Sequence, residues 1–148
     1  MEYRKATTSD LAKVFRNNEE RLTAEYVAAG FNPRKVKDMF RGWVIAGDAH
    51  ALTHEGEPIA IIAWQAVDGC VFTSFAAVPE FFDKKFVRFS RVHVRRIQVD
   101  HDNKPVVAVS YGTRSDLSRW FSLLGFERGI TEGQATPYTL LPKPATVS

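Results

Sequence analysis

The spacing of apolar residues switches between helical and strand periods along the chain, and each switch marks the border of an element. Tyr3-Arg4-Lys5-Ala6 reads as a short strand, and Thr8 or Ser9 as the cap of the helix that follows. Leu11, Val14, Phe15 and Leu22 then recur at helical spacing, until Gly30 ends the stretch near Ala28-Ala29. Asn32-Pro33 starts a second helix, with Asn as cap and Pro at the first helical position. Val36, Met39, Phe40, Trp43 and Val44 give it an i, i+3, i+4, i+7, i+8 stripe, so one of its faces packs in the core.

After Gly47-Asp48 the pattern becomes that of strands. Ala49 to Thr53 and Pro58 to Val67 flank a turn at His54-Glu55-Gly56-Glu57, and Asp68-Gly69 turns the chain into Cys70 to Val78. These predict three consecutive antiparallel strands, closed by Pro79. Asp83 to Asp100 carries Phe86, Phe89, His93 and Ile97 at helical spacing, and its length without Gly or Pro outweighs the strand propensity of its valines. His101 to Pro105 reads as a loop, Val106 to Tyr111 as a buried strand and Thr113-Arg114-Ser115 as a cap region. Leu117, Trp120, Phe121 and Leu124 predict a short helix stopped by Gly125. Arg128 to Thr131 and Thr136 to Leu141 predict a closing strand pair around Glu132-Gly133, and residues 142–148 a frayed tail.

A length of 148 residues suits one domain over the whole chain. No apolar run approaches the roughly 20 residues that a membrane span needs, and no signal-peptide core is present. With single Cys70 an internal disulfide is excluded, so a cytoplasmic setting is expected. The four histidines and Cys70 show no metal-ligand spacing, and no phosphate-binding Gly-x-x-x-x-Gly-Lys loop occurs, so no metal is expected. The net charge of +3 is mild, but its distribution is uneven. Lys84, Lys85, Arg88, Arg91, His93, Arg95 and Arg96 form a block without an acid. Such a block suits a phosphate of a cofactor, a nucleic acid less readily, or simply a solvated helix face.

Several phrases occur in the order found in one family. Arg4 to Leu11, Gly56 to Ala63, Phe75-Ala76-Ala77-Val78-Pro79-Glu80 and Trp120-Phe121-Ser122-Leu123-Leu124-Gly125-Phe126-Glu127 resemble phrases of the GNAT superfamily of N-acetyltransferases. The resemblance spans about residues 3 to 141 and implies an α/β (α+β) GNAT fold. Its central, mostly antiparallel sheet would have about six to seven strands, splayed between strands four and five, with about four flanking helices. Ala24 to Pro33, Gly56 to Ile61 and Gly69 to Ser74 are also similar to small GNAT-like internal virion proteins of short-tailed coliphages. That narrower resemblance implies a phage virion or host-protein partner in the bacterial cytoplasm, or packaging in a virion.

In the family, acetyl-CoA lies between strands four and five and its acetyl group passes to an amine. The resemblance places Ala76, Ala77 and Val78 along the pantetheine arm, and Lys84, Lys85, Phe86, Val87 and Arg88 at the pyrophosphate. It places Arg114 and Phe121 beside the cofactor as well. The family's loop reads Gln/Arg-x-x-Gly-x-Gly/Ala, whereas this chain has Phe82, Lys85 and Val87 at those positions. Small residues serve there because phosphate must approach the backbone closely. Phe121 stands where the family commonly has a proton-donating Tyr. Tyr111 and Ser110, at the end of the fifth strand, are the substitute catalytic candidates. The expectations are a weakly bound acetyl-CoA with an amine acceptor or, alternatively, a catalytically idle fold that binds a virion or host protein.

Overall fold

The computed structural model describes residues 1–18, 20–111 and 115–144. The first strand, β1 (Glu2–Lys5), is followed by α1 (Thr8–Arg16), and Thr7 caps it in place of the expected Thr8 or Ser9. The Thr7 hydroxyl accepts from the Asp10 N–H at 3.1 Å, and the Asp10 carboxylate accepts from the Thr7 N–H at 2.9 Å. This reciprocal box satisfies donors that a helix start leaves open. Thr7 fits because its extended backbone aims its hydroxyl at the third residue of the helix, and that residue is the acid. Arg4 grips the same carboxylate from β1.

Helical spacing from Leu11 to Leu22 does not belong to one helix. α1 stops at a cap on Asn17, and α2 (Glu20–Ala28) is separate. The third helix, α3 (Pro33–Ala46), starts as the Asn32-Pro33 pair dictates, with the Asn32 side chain accepting from the Arg34 N–H at 2.9 Å.

β2 (Ala49–His54), β3 (Glu57–Val67) and β4 (Cys70–Ala77) form the expected antiparallel run, and β1 joins it through β2. β5 (Val106–Tyr111) lies parallel to β4. β7 (Ala135–Leu140) pairs antiparallel to β5 and separates it from the two-residue β6 (Glu127–Arg128). The sheet order is therefore β1-β2-β3-β4-β5-β7-β6. The expected closing pair is shorter than the sequence suggests. Gly129 donates to the Pro137 carbonyl at 2.8 Å, but Pro137 has no N–H to return and the ladder breaks there.

Helices cover both faces of the sheet. Leu11, Val14, Val36, Phe40 and Val44 of α1 and α3 pack on Ala51, Ile61, Ala63 and Ala76. The second core lies under α4 (Val87–Asp100) and α5 (Ser115–Leu123), where Ile97, Leu117, Trp120, Phe121 and Leu124 meet Leu52, Val71, Val106 and Leu140. Gln98 is fully buried there, and its amide donates to the carbonyls of Lys104, Leu140 and Leu141. Asn103 exchanges two hydrogen bonds with the backbone of Lys143, so the chain is held to that residue and not frayed from 142. Among the described residues no helix is long and apolar enough to cross a membrane.

Candidate functional site

β4 and β5 pair only at Val71–Val106 and Phe72–Val107, then separate toward their C-terminal ends. The alternation of β4 fixes which backbone groups face this opening. The Val71 N–H donates to Pro105, on the β5 side, and the Val78 N–H donates to Ile59 of β3. Odd-numbered residues of β4 therefore turn toward β5, and even-numbered ones toward β3. Of the three positions expected along the pantetheine arm, only Ala77 offers its backbone to the opening, joined by Phe75. Ala76 and Val78 are committed to β3. On the other side, the Pro137 carbonyl is taken by Gly129, just past β6, so Val109 opposite Pro137 turns its backbone toward β4.

Inside the opening is a small cavity lined by Glu25, Tyr26, Phe75, Val109, Ser110, Tyr111, Leu117 and Phe121. Both catalytic candidates, Ser110 and Tyr111, thus come together with Phe121. Glu25 and Tyr26 arrive from α2 and were not read from the sequence. Glu25 is a carboxylate only 9% exposed, and it accepts from the Ser110 hydroxyl at 3.2 Å and 3.4 Å through its two oxygens. Ser110 shares its strand parity with Val106 and Ala108, which pack under α4 and α5. Glu25 comes from the opposite face, so their bond passes through the gap between the strands. The Tyr26 hydroxyl is held well above the usual phenol range by burial, then by the nearby Glu25 carboxylate and Tyr111, and it keeps its proton. No sequence pattern marks Glu25, because its partner lies 85 residues away and only the topology joins them.

Phe121 is 2% exposed, stacked on Tyr138 at 4.4 Å and set edge-on to Phe75 at 5.9 Å. It is a packing residue of the cavity wall.

The loop after β4 is built differently from the expected anion cradle. Two 3-10 turns, Pro79–Phe82 and Lys84–Phe86, precede α4, which begins at Val87 and not at Asp83. Several N–H groups of this loop are paired internally. Asp83 donates to Glu80, Lys85 to the Asp83 carboxylate at 3.0 Å, Phe86 to the Asp83 carbonyl and Val87 to Lys84. Phe81 and Phe86 drop into the core and hold the turns in place. The Lys85 ammonium lies 5.0 Å from the Phe86 ring. Arg114 lies outside the described residues.

The basic block divides the same way. Arg91 donates twice to the Leu123 carbonyl at the end of α5, and Arg95 donates to Leu141 and Gln98. Arg96 pairs with Asp100 at 3.5 Å, and His93 is buried against His50. Only Lys84, Lys85 and Arg88 are left to face a ligand.

Two larger hollows lie on the α1–α3 side. One, of about 530 Å³, is bounded by α1, α2, α3 and β4, and shares Tyr26 and Phe75 with the cavity in the opening. The other, of about 690 Å³, runs from Lys13 and Arg16 across the start of β3 to Glu80.

No family description matches the sequence, and no curated protein does either. Solved structures do match in fold. PaiA N-acetyltransferase from Thermoplasma acidophilum in complex with coenzyme A superimposes with a TM-score of 0.73 at 13% identity, over 96% of this chain and 98% of that one. AAC(6')-Ib in complex with ribostamycin and coenzyme A gives 0.69 at 16% identity, over 95% and 92%. The ribosomal-protein-S18-alanine N-acetyltransferase from Escherichia coli gives 0.63 at 14%, over 99% and 96%.

Proposed function

With the GNAT fold as its frame, we propose that this chain holds an acyl-CoA by its pantetheine arm in the β4–β5 opening and serves acyl transfer to an amine. The observation that carries this reading is the pair of divergent strand edges, at Phe75, Ala77 and Val109, with Glu25 and Ser110 meeting between them. An extended amide-bearing arm can add to such an edge as a further strand would. The loop fits the rest of the cofactor poorly. The N–H groups of Asp83, Lys85, Phe86 and Val87 are used internally, and Lys85 and Val87 bring bulk where phosphate would need to touch the backbone. The phosphate-binding loop is thus degenerate, leaving Lys84, Lys85 and Arg88 as side-chain contacts of modest strength.

When bound, a thioester supplies an activated carbonyl. Glu25 is the group placed to accept the proton of an attacking amine, with the Ser110 hydroxyl holding its carboxylate in position. Tyr111 and Tyr26 border the same cavity and carry the hydroxyls that can give a proton to the departing sulfur. Phe121 cannot.

Calorimetric titration of the full chain with acetyl-CoA, desulfo-CoA and pantetheine tests this. We expect CoA to bind less than about tenfold tighter than pantetheine, because the loop adds so little. Glu25→Gln should lower amine acetylation by about a hundredfold or more while leaving CoA binding within about threefold. Absence of binding by all three ligands at millimolar concentration would defeat the proposal. It would favour the second reading, a catalytically idle fold acting as a virion-associated or host-binding phage component. The self-paired loop and the packed Phe121 are the observations on that side.

A further inference from the structure

The hollow of about 530 Å³ between α1, α2, α3 and β4 is the size of a small-molecule site. Its floor is aromatic: Phe15, Tyr26 and Phe75. Its rim is cationic: Arg16 at the end of α1, and Arg34 and Lys37 on the first turns of α3. Among the described residues no carboxylate lines it. Among the described residues none of these three cations has an ion-pair partner. Three like charges around one concavity repel each other, and an anion entering it relieves that repulsion. The aromatic floor leads through Tyr26 and Phe75 to the cavity that holds Glu25 and Ser110.

We propose that this hollow is the acceptor site, and that the acceptor is a small amine with an aromatic or apolar body and an anionic group, carboxylate or phosphate. Arg16, Arg34 and Lys37 hold the anion at the rim. The body lies on Phe15, Tyr26 and Phe75, which directs the amine toward Glu25. The assignment of the amine rests on the acyl-transfer reading above; the anion preference of the hollow does not.

The test is direct binding to the full chain by calorimetry or chemical-shift titration, with three probes. 4-(2-Aminoethyl)benzoate carries the carboxylate and tyramine O-phosphate a phosphate, each at the end of the ring opposite the amine, and 2-phenylethylamine has the same body and amine without an anion. At least one anionic probe should bind about tenfold or more tighter than 2-phenylethylamine. Which of the two binds tighter identifies the natural anion. The double substitution Arg34→Gln with Lys37→Gln should reduce that preference to less than about threefold. Arg34 is exposed and Lys37 half-exposed, so the melting temperature should not move. Equal binding of 2-phenylethylamine, undiminished preference in the double variant, or no binding of any probe at about 10 mM would each overturn the proposal. Anion preference without CoA or pantetheine binding would sink the transferase reading and leave this site standing. CoA binding and turnover without anion preference would do the reverse.

Discussion

His50 Nδ1 and His93 Nε2 face each other at 3.0 Å, and the Tyr3 ring lies 4.9 Å from each imidazole. One nitrogen of such a pair must donate and the other accept, so at most one proton lies between them. His93 is pushed down to about 3, first by burial and then by His50. His50 is also lowered, chiefly by burial, with Asp100 opposing and Lys5 assisting. An unfolded histidine titrates near 6.5, so below that pH the unfolded chain takes up protons that the folded pair refuses. The stability this pair allows is therefore complete above about pH 6.5 and declines as pH falls toward 3. Urea unfolding at intervals from pH 7 to 4 should show the free energy falling, by a few kcal/mol over that range. In His93→Gln, which keeps a polar partner for His50 without titrating, the slope should be markedly shallower. An unchanged slope would remove His93 as its cause. Asp10 acts in a lower window. Burial alone would raise its carboxyl, but Arg4 and the Thr7 N–H outweigh that and hold it below the usual range. Its contribution is lost only as pH falls through that depressed value.

Among the elements, α5 shows what apolar periodicity can and cannot reveal. Leu117, Trp120, Phe121 and Leu124 are all buried on the sheet, as their spacing indicates, and Gly125 ends the helix with φ +99°. Gly125→Ala should cost on the order of 1 kcal/mol, since a side chain is strained at that angle. Its Cβ would also lie 3.4 Å from Leu140 Cδ1. A thermal melt indistinguishable from the parent would contradict this. The basic block on α4 was not legible in the same way. A run of arginines looks like an anion-binding face, yet Arg91 and Arg95 satisfy backbone carbonyls at the end of α5 and after β7. Open carbonyls at helix ends need donors, and a sequence does not say which distant side chain supplies them. The loop before α4 is similar. Its departure from Gln/Arg-x-x-Gly-x-Gly/Ala was visible in Phe82, Lys85 and Val87, but the Asp83 bond that closes it was not.

Across the whole molecule, strand order follows from the run of hairpins and the resemblance, and the splayed seam lies where they place it. What escaped the sequence was Glu25 inside the seam, where residues far apart in the chain meet, and the break of the last pairing at Pro137, which has no N–H to return. The seam carries its own prediction. In amide exchange followed by NMR, Phe75 and Val109 should exchange at least about tenfold faster than Ala76 and Ala108, although all four belong to central strands. Equal protection would mean that the two edges are bridged. The order of the last strands has a consequence in time. β3 and β4 each find a partner across a short turn, made moments before, whereas β7 must enter between β5 and β6 after both exist. On the ribosome, one edge of β5 and the apolar face of α5 stay uncovered until Leu140 has emerged. A newly made chain is therefore most exposed to proteases and to self-association between the emergence of Tyr111 and that of Leu140.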